Sequence, residues 1–101
     1  MEILDKIKSR KAKVGVVGLG YVGLPLAVLN AKTGFLVIGF DAVAGKVERV
    51  NKGENYISDV VDEELRQVVE EKRFRATTDF SELSQCDVIL ICVPTPLTRN
   101  K

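Results

Sequence analysis

Three runs of apolar, largely β-branched residues mark where the strands of this chain must lie. They are Val14-Gly15-Val16-Val17, Phe35-Leu36-Val37-Ile38-Gly39-Phe40 and Asp87 to Val93, the last being the strongest. None alternates with polar residues, which is how strands read when helices cover both faces of a parallel sheet. Between the runs the period changes. From Tyr21 to about Thr33 the apolar residues Val22, Leu24, Leu26, Ala27, Val28, Leu29 and Ala31 cover nearly all sides, predicting a helix laid against the sheet and closed by Gly34. Pro25 falls near the end of its first turn, where it costs at most about one backbone hydrogen bond. Val43, Val47 and Val50, at i, i+4 and i+7, predict a second helix that stops at Asn51-Lys52-Gly53.

Weaker signals fill the gaps. Ile3, Leu4 and Ile7 predict a short amphipathic helix near residues 2 to 10, and Glu54 to Asp59 reads as loop. Leu65, Val68 and Val69, followed by Glu70, Glu71 and Lys72, predict a solvent-faced helix. Phe74 to Thr77 is a short strand, Thr78 to Glu82 has the capping residues of a brief helix, and Pro94 and Pro96 end the last strand. After the leading helix the order is β, α, β, α, α, β, α, β. Right-handed crossovers make such strands parallel and give an α/β, doubly wound sheet of spatial order 3-2-1-4. A complete sheet of this type continues for two more strands, so the 101 residues read as one domain cut short after the fourth. The bare apolar edge left there predicts a homo-oligomer formed through that strand.

Composition narrows the function. Forty-six per cent hydrophobic and 29% charged residues describe a globular protein rather than a disordered one. Fifteen basic and fourteen acidic residues leave a formal charge of +1, with no field to gather nucleic acid or anionic lipid. Residues 1 to 13 carry Lys6, Lys8 and Arg10 without an apolar core behind them, which fits neither a signal peptide nor a membrane span, so a cytoplasmic protein is expected. With no histidine and no C-x-x-C there is no ligand set for zinc and no imidazole for acid-base chemistry. Cys86 and Cys92 sit six positions apart, at opposite ends of one strand, and are expected to be reduced core thiols.

The chemistry lies between the first strand and first helix. Gly18-Leu19-Gly20-Tyr21-Val22-Gly23 is a G-x-G-x-x-G in which Gly18 permits a tight turn, Gly20 lets the backbone approach a pyrophosphate, and Gly23 lets helix and strand lie close. A helix N-terminus placed there offers free amides and partial positive charge to an anion. Asp41 ends the second strand eighteen residues after Gly23, where a carboxylate can accept from both hydroxyls of an adenosine ribose. The same carboxylate repels a 2′-phosphate, and Ala42 and Val43 supply no arginine to offset it, so NAD is expected rather than NADP. Lys46, one turn into the second helix, is either a ribose or phosphate contact or a solvated lysine. Val93-Pro94-Thr95-Pro96 leaves the fourth strand beside the reversal of strand order, which places Thr95 by the nicotinamide half, or else is a rigid exit loop.

Val14 to Leu26 (VGVVGLGYVGLPL), Gly39-Phe40-Asp41 and Cys92 to Thr98 (CVPTPLT) together resemble the N-terminal, Rossmann-type NAD-binding domain of the UDP-glucose/GDP-mannose dehydrogenase family. Lys52 to Val60 looks most like the branch of UDP-N-acetylglucosamine 6-dehydrogenases. The resemblance implies an oxidation of the C6 alcohol of a UDP-sugar to a carboxylate with two NAD. It also implies backbone contacts from Tyr21 and Val22 to the pyrophosphate, Asp41 and Lys46 at the ribose, and Val93, Pro94 and Thr95 along the cofactor. The family's catalytic cysteine, lysine and asparagine fall beyond residue 101, so this chain alone is expected to be inactive. Many relatives carry a second polar residue two positions after the ribose acid, where this chain has Val43. UDP-glucose and UDP-N-acetylmannosamine remain alternative substrates, and a stand-alone module sensing NAD or NADH is the alternative of a different class.

Overall fold

The computed structural model describes residues 11–58 and 60–92. The helix expected near residues 2 to 10 lies outside them. Four parallel strands, β1 (Lys13–Val17), β2 (Leu36–Phe40), β3 (Phe74–Thr77) and β4 (Val88–Ile91), form one sheet in the order β3-β2-β1-β4. This is the expected order. Helices α1 (Gly23–Lys32), α2 (Ala44–Asn51) and α3 (Asp62–Glu70) connect them, with a 3-10 helix at Phe80–Gln85.

The register explains which side chains face the helices. Val14 stands level with Val37 and Val88, and Val37 with Phe74. The next row on that face is Leu90, Val16, Gly39 and Ala76. Together with Leu24, Ala27, Val28 and Ala31 of α1, Val47 and Val50 of α2, and Leu65 and Val68 of α3, the side chains of these rows other than Val88 build a single core. Gly39 is the gap in the second row. A Cβ there would come within 2.8 Å of a methyl of Leu19, so the buried Leu19 side chain fills the place that a larger strand residue would take. The glycine turn is thereby plugged into the sheet from above.

Boundaries moved where caps compete with pattern. The first helix begins at Gly23 rather than Tyr21, because Tyr21 and Val22 belong to the turn that precedes it. Gly34 closes it with a φ of 112°, as expected. The brief helix expected at Thr78 to Glu82 is a 3-10 segment set three residues later in its end, capped by the Asp79 carboxylate accepting from the Ser81 amide. The two cysteines are free as expected and partly buried; Cys92 packs against the core, whereas Cys86 is not part of that cluster. Cys86 packs on the sheet face where a Gly15 side chain would stand, its sulfur 2.8 Å from the place of that Cβ, and burial pushes its thiol pKa up.

The two edges of the sheet are handled differently. At β3 the Asn51 side chain takes both outward-facing backbone groups of Ala76: its Oδ1 accepts from the amide at 2.8 Å and its Nδ2 donates to the carbonyl at 2.9 Å. One amide thus stands in for a missing strand. At β4 no such cover appears among the described residues, and Ile89 and Ile91 stand 44% and 70% exposed.

Candidate dinucleotide site

The site is built at the carboxyl ends of β1 and β2, where the chain turns from β1 into α1. Gly18 adopts a φ of 95°, and its amide donates to the Phe40 carbonyl at 2.7 Å, tying the turn to the last residue of β2. Only glycine fits there, since a Cβ would lie 2.1 Å from the Cys92 carbonyl oxygen as well as in a strained backbone. Gly20 is different in kind. A Cβ at Gly20 would meet nothing within 4 Å among the described residues, so their packing does not demand a glycine at this position. The open space lies just before the helix.

That helix end carries no competing group. The first turn of α1 has no acidic residue and no side-chain cap, and among the described residues no acceptor takes the Gly20, Tyr21 or Val22 amides. The side chains of Tyr21 and Val22 stand outward, 76% and 61% exposed, leaving the backbone unobstructed. Aligned free amides and the helix dipole favour an anion here.

Asp41 sits one residue beyond β2 and is bound directly to the turn. Its Oδ2 accepts from the Leu19 amide at 2.9 Å, and its Oδ1 accepts from the Val43 amide at 2.9 Å. Lys46 Nζ lies 3.9 Å from Oδ2, and the Asp41 side chain is 11% exposed. Each carboxylate oxygen keeps further lone-pair capacity, so the group can accept from a ligand hydroxyl without releasing the turn. The two features that sequence spacing paired are therefore in contact.

A model of the UDP-glucose/GDP-mannose dehydrogenase family, NAD binding domain, matches residues 12–101. The chain belongs to this family. Within it, the sequence is 33% identical over 89 residues to UDP-N-acetyl-D-mannosamine dehydrogenase of Pyrococcus horikoshii, covering 87% of this chain and 21% of that one. It is 37% identical over 89 residues to UDP-N-acetyl-D-glucosamine 6-dehydrogenase of Pseudomonas aeruginosa, covering 88% and 20%. A crystal structure of GDP-mannose dehydrogenase from Pseudomonas aeruginosa superposes with a TM-score of 0.73 at 35% identity, over 82% of this chain and 20% of that one. The chain thus spans about a fifth of the length of these relatives. Their sugars differ, so the match defines an NAD-binding domain of nucleotide-sugar dehydrogenases and leaves the sugar open.

In this NAD-binding domain the residues expected at the cofactor are brought together as far as the described residues extend. Gly18, Gly20, Tyr21, Val22, Gly23, Asp41 and Lys46 gather around one turn. Val93, Pro94 and Thr95 lie outside the described residues. The open cradle at Gly20 and the acid beside it fit a dinucleotide: amides for the diphosphate, a carboxylate for the ribose. Val43, apolar in its side chain, still contributes through its amide to Asp41.

Tyr56 was not among the expected site residues. Its hydroxyl donates to the Leu19 carbonyl at 2.6 Å, and the Arg49 guanidinium lies 5.4 Å from its ring centre. Burial pushes the phenol up to about 12, with the Asp41 carboxylate adding to the rise and Arg49 opposing it. The signal available in the sequence was slight, a single aromatic in the polar stretch Gly53 to Ser58. Among the described residues no group of three or more His, Cys, Asp or Glu is placed to hold a metal ion, and no helix is long and apolar enough to cross a membrane.

Proposed function

We propose that residues 1 to 101 form one domain that binds NAD through the Gly20, Tyr21 and Val22 amides at the diphosphate and Asp41 at the adenosine ribose. Gly18 and Gly23 shape the turn, Lys46 stands beside the ribose, and Val93, Pro94 and Thr95, outside the described residues, are proposed as further cofactor contacts. The observation that carries this reading is the bond from the Leu19 amide to Asp41, which joins the diphosphate turn to the ribose acid as one unit. The domain serves a cytoplasmic dehydrogenase that oxidises the C6 alcohol of a UDP-sugar to a carboxylate. UDP-N-acetylglucosamine is the sugar nucleotide favoured by Lys52 to Val60, and the free cysteines suit a reducing compartment. Alcohol to carboxylate is a four-electron oxidation, for which two NAD, held by the turn amides and Asp41, would be the electron acceptors. We assign this domain cofactor binding and orientation, and no catalytic group.

Calorimetric titration of the chain with NAD and NADP tests the reading directly. NAD is expected to bind at least tenfold more tightly, because a 2′-phosphate would sit against Asp41. Gly20→Ala isolates the cradle. Its added methyl meets no atom of the described residues, so the thermal midpoint should stay at the wild-type value while NAD affinity falls at least tenfold. A folded Gly20→Ala chain that binds NAD normally would show that no ligand occupies this space.

The fourth strand also bears on assembly. Ile89 and Ile91 expose apolar surface at the edge strand, and a second copy joined there would cover it. Sedimentation should show a concentration-dependent dimer that Ile91→Lys abolishes; an unchanged monomer in both chains removes the idea.

A further inference from the structure

We infer that Tyr56 is a positioning residue of the cofactor site, holding the Leu19–Gly20 peptide in the orientation that presents the Gly20 amide to a diphosphate. This rests on the NAD reading above and adds a part to it. A glycine-rich turn is the softest place in the backbone, because peptide planes flanking glycine rotate at little steric cost. Here the planes on both sides of Leu19 are fixed from outside the turn. Asp41 takes the Leu19 N–H from the β2 side, and Tyr56 binds the Leu19 carbonyl from the loop after α2. In a planar trans peptide the C=O and the following N–H point in opposite directions. The bond to Tyr56 therefore turns the Gly20 N–H away from the tyrosine, and no acceptor among the described residues takes it.

The loop that delivers Tyr56 is built to hold it still. Asn55 organises it, accepting from the Ile57 amide at 2.9 Å and donating to the Val60 carbonyl and to Asp62. Ile57 and Val60 are buried in the core on either side of the turn this makes. Arg49 stacks on the tyrosine ring and donates to the Asn55 carbonyl at 3.3 Å, so ring and loop are braced by one side chain. With its pKa near 12 the phenol stays protonated, and remains a donor, throughout the neutral range.

Tyr56→Phe removes the hydroxyl and keeps the ring, its core packing and its stacking with Arg49, so the variant chain should fold. Two measurements on the whole chain separate a positioning role from a merely structural one. In amide NMR spectra the Leu19, Gly20 and Tyr21 resonances should shift and broaden while those of α3 and β3 stay in place. In titrations NAD and ADP should bind about fivefold more weakly than to wild type, while adenosine, which has no diphosphate, changes less than twofold. Unchanged spectra at Leu19 to Tyr21, or an equal loss for adenosine and ADP, would overturn the inference. A wild-type chain that binds none of the three overturns the NAD reading, and the spectra then decide the clamp separately.

Discussion

Asp41→Ala should weaken NAD binding well beyond tenfold and should also lower the stability of the chain without cofactor. The first effect follows from the ribose: hydrogen bonds to a charged acceptor contribute roughly 1.5 to 3 kcal/mol each, and about 1.4 kcal/mol is a factor of ten in affinity. The second follows from contacts internal to the protein. The carboxylate satisfies the Leu19 and Val43 amides at 2.9 Å each; alanine leaves the exposed Val43 amide to water but deprives the part-buried Leu19 amide, and the turn it holds, of an acceptor. Leaving such a group unpaired costs on the order of 1 to 3 kcal/mol. Asp41→Asn divides the two roles, since its carbonyl oxygen can still accept from one amide while its NH2 cannot accept from the other or from a ribose hydroxyl. Thermal midpoints should therefore rank wild type, then asparagine, then alanine, while calorimetry shows both variants impaired for NAD. Wild-type affinity in Asp41→Ala would mean that the carboxylate serves the turn alone.

That double role marks the limit of what the sequence discloses. The sheet order, the helix connections and the glycine turn were legible because each has a local cause: unbroken apolar runs, valines at helical spacing, glycines at fixed offsets. Asp41 was legible as the acid at the end of β2, but its bond to Leu19 spans twenty-two positions and has no local signature. The same holds for Tyr56, thirty-seven positions from the carbonyl it binds, and for Asn51, twenty-five positions from the strand edge it covers. Gly39 looked like an ordinary strand residue, and only the Leu19 side chain lying over it shows why a larger residue would not fit. Local pattern placed the elements, whereas the polar contacts that set the turn depend on how those elements pack.

Gly23→Ala should be strongly destabilising, because among the glycines of the turn its added methyl makes the shortest backbone clash. A Cβ at Gly23 would lie 1.6 Å from the Gly18 carbonyl oxygen and 2.8 Å from its carbon, so α1 and the end of β1 cannot both stay where they are. Relief by moving Gly18 is closed off. Its amide is bonded to Phe40, and the Cys92 carbonyl stands 2.1 Å from where its own Cβ would point. Relief by moving α1 would lift Leu24, Ala27, Val28 and Ala31 out of the core. Ordinary overpacking costs about 1 to 3 kcal/mol, and this clash is between backbone atoms, so a loss at or above about 3 kcal/mol is expected. For a small domain with roughly 5 to 15 kcal/mol of total stability, that shift is large enough to read as a much lower urea midpoint or as loss of the folded signal. Three residues earlier, Gly20→Ala adds the same methyl into space open among the described residues and should leave that midpoint untouched while weakening NAD binding at least tenfold. The two alanines are thus expected to fail in opposite ways, and a Gly23→Ala chain that unfolds at the wild-type urea concentration would mean that helix and strand do not approach as closely as this turn requires.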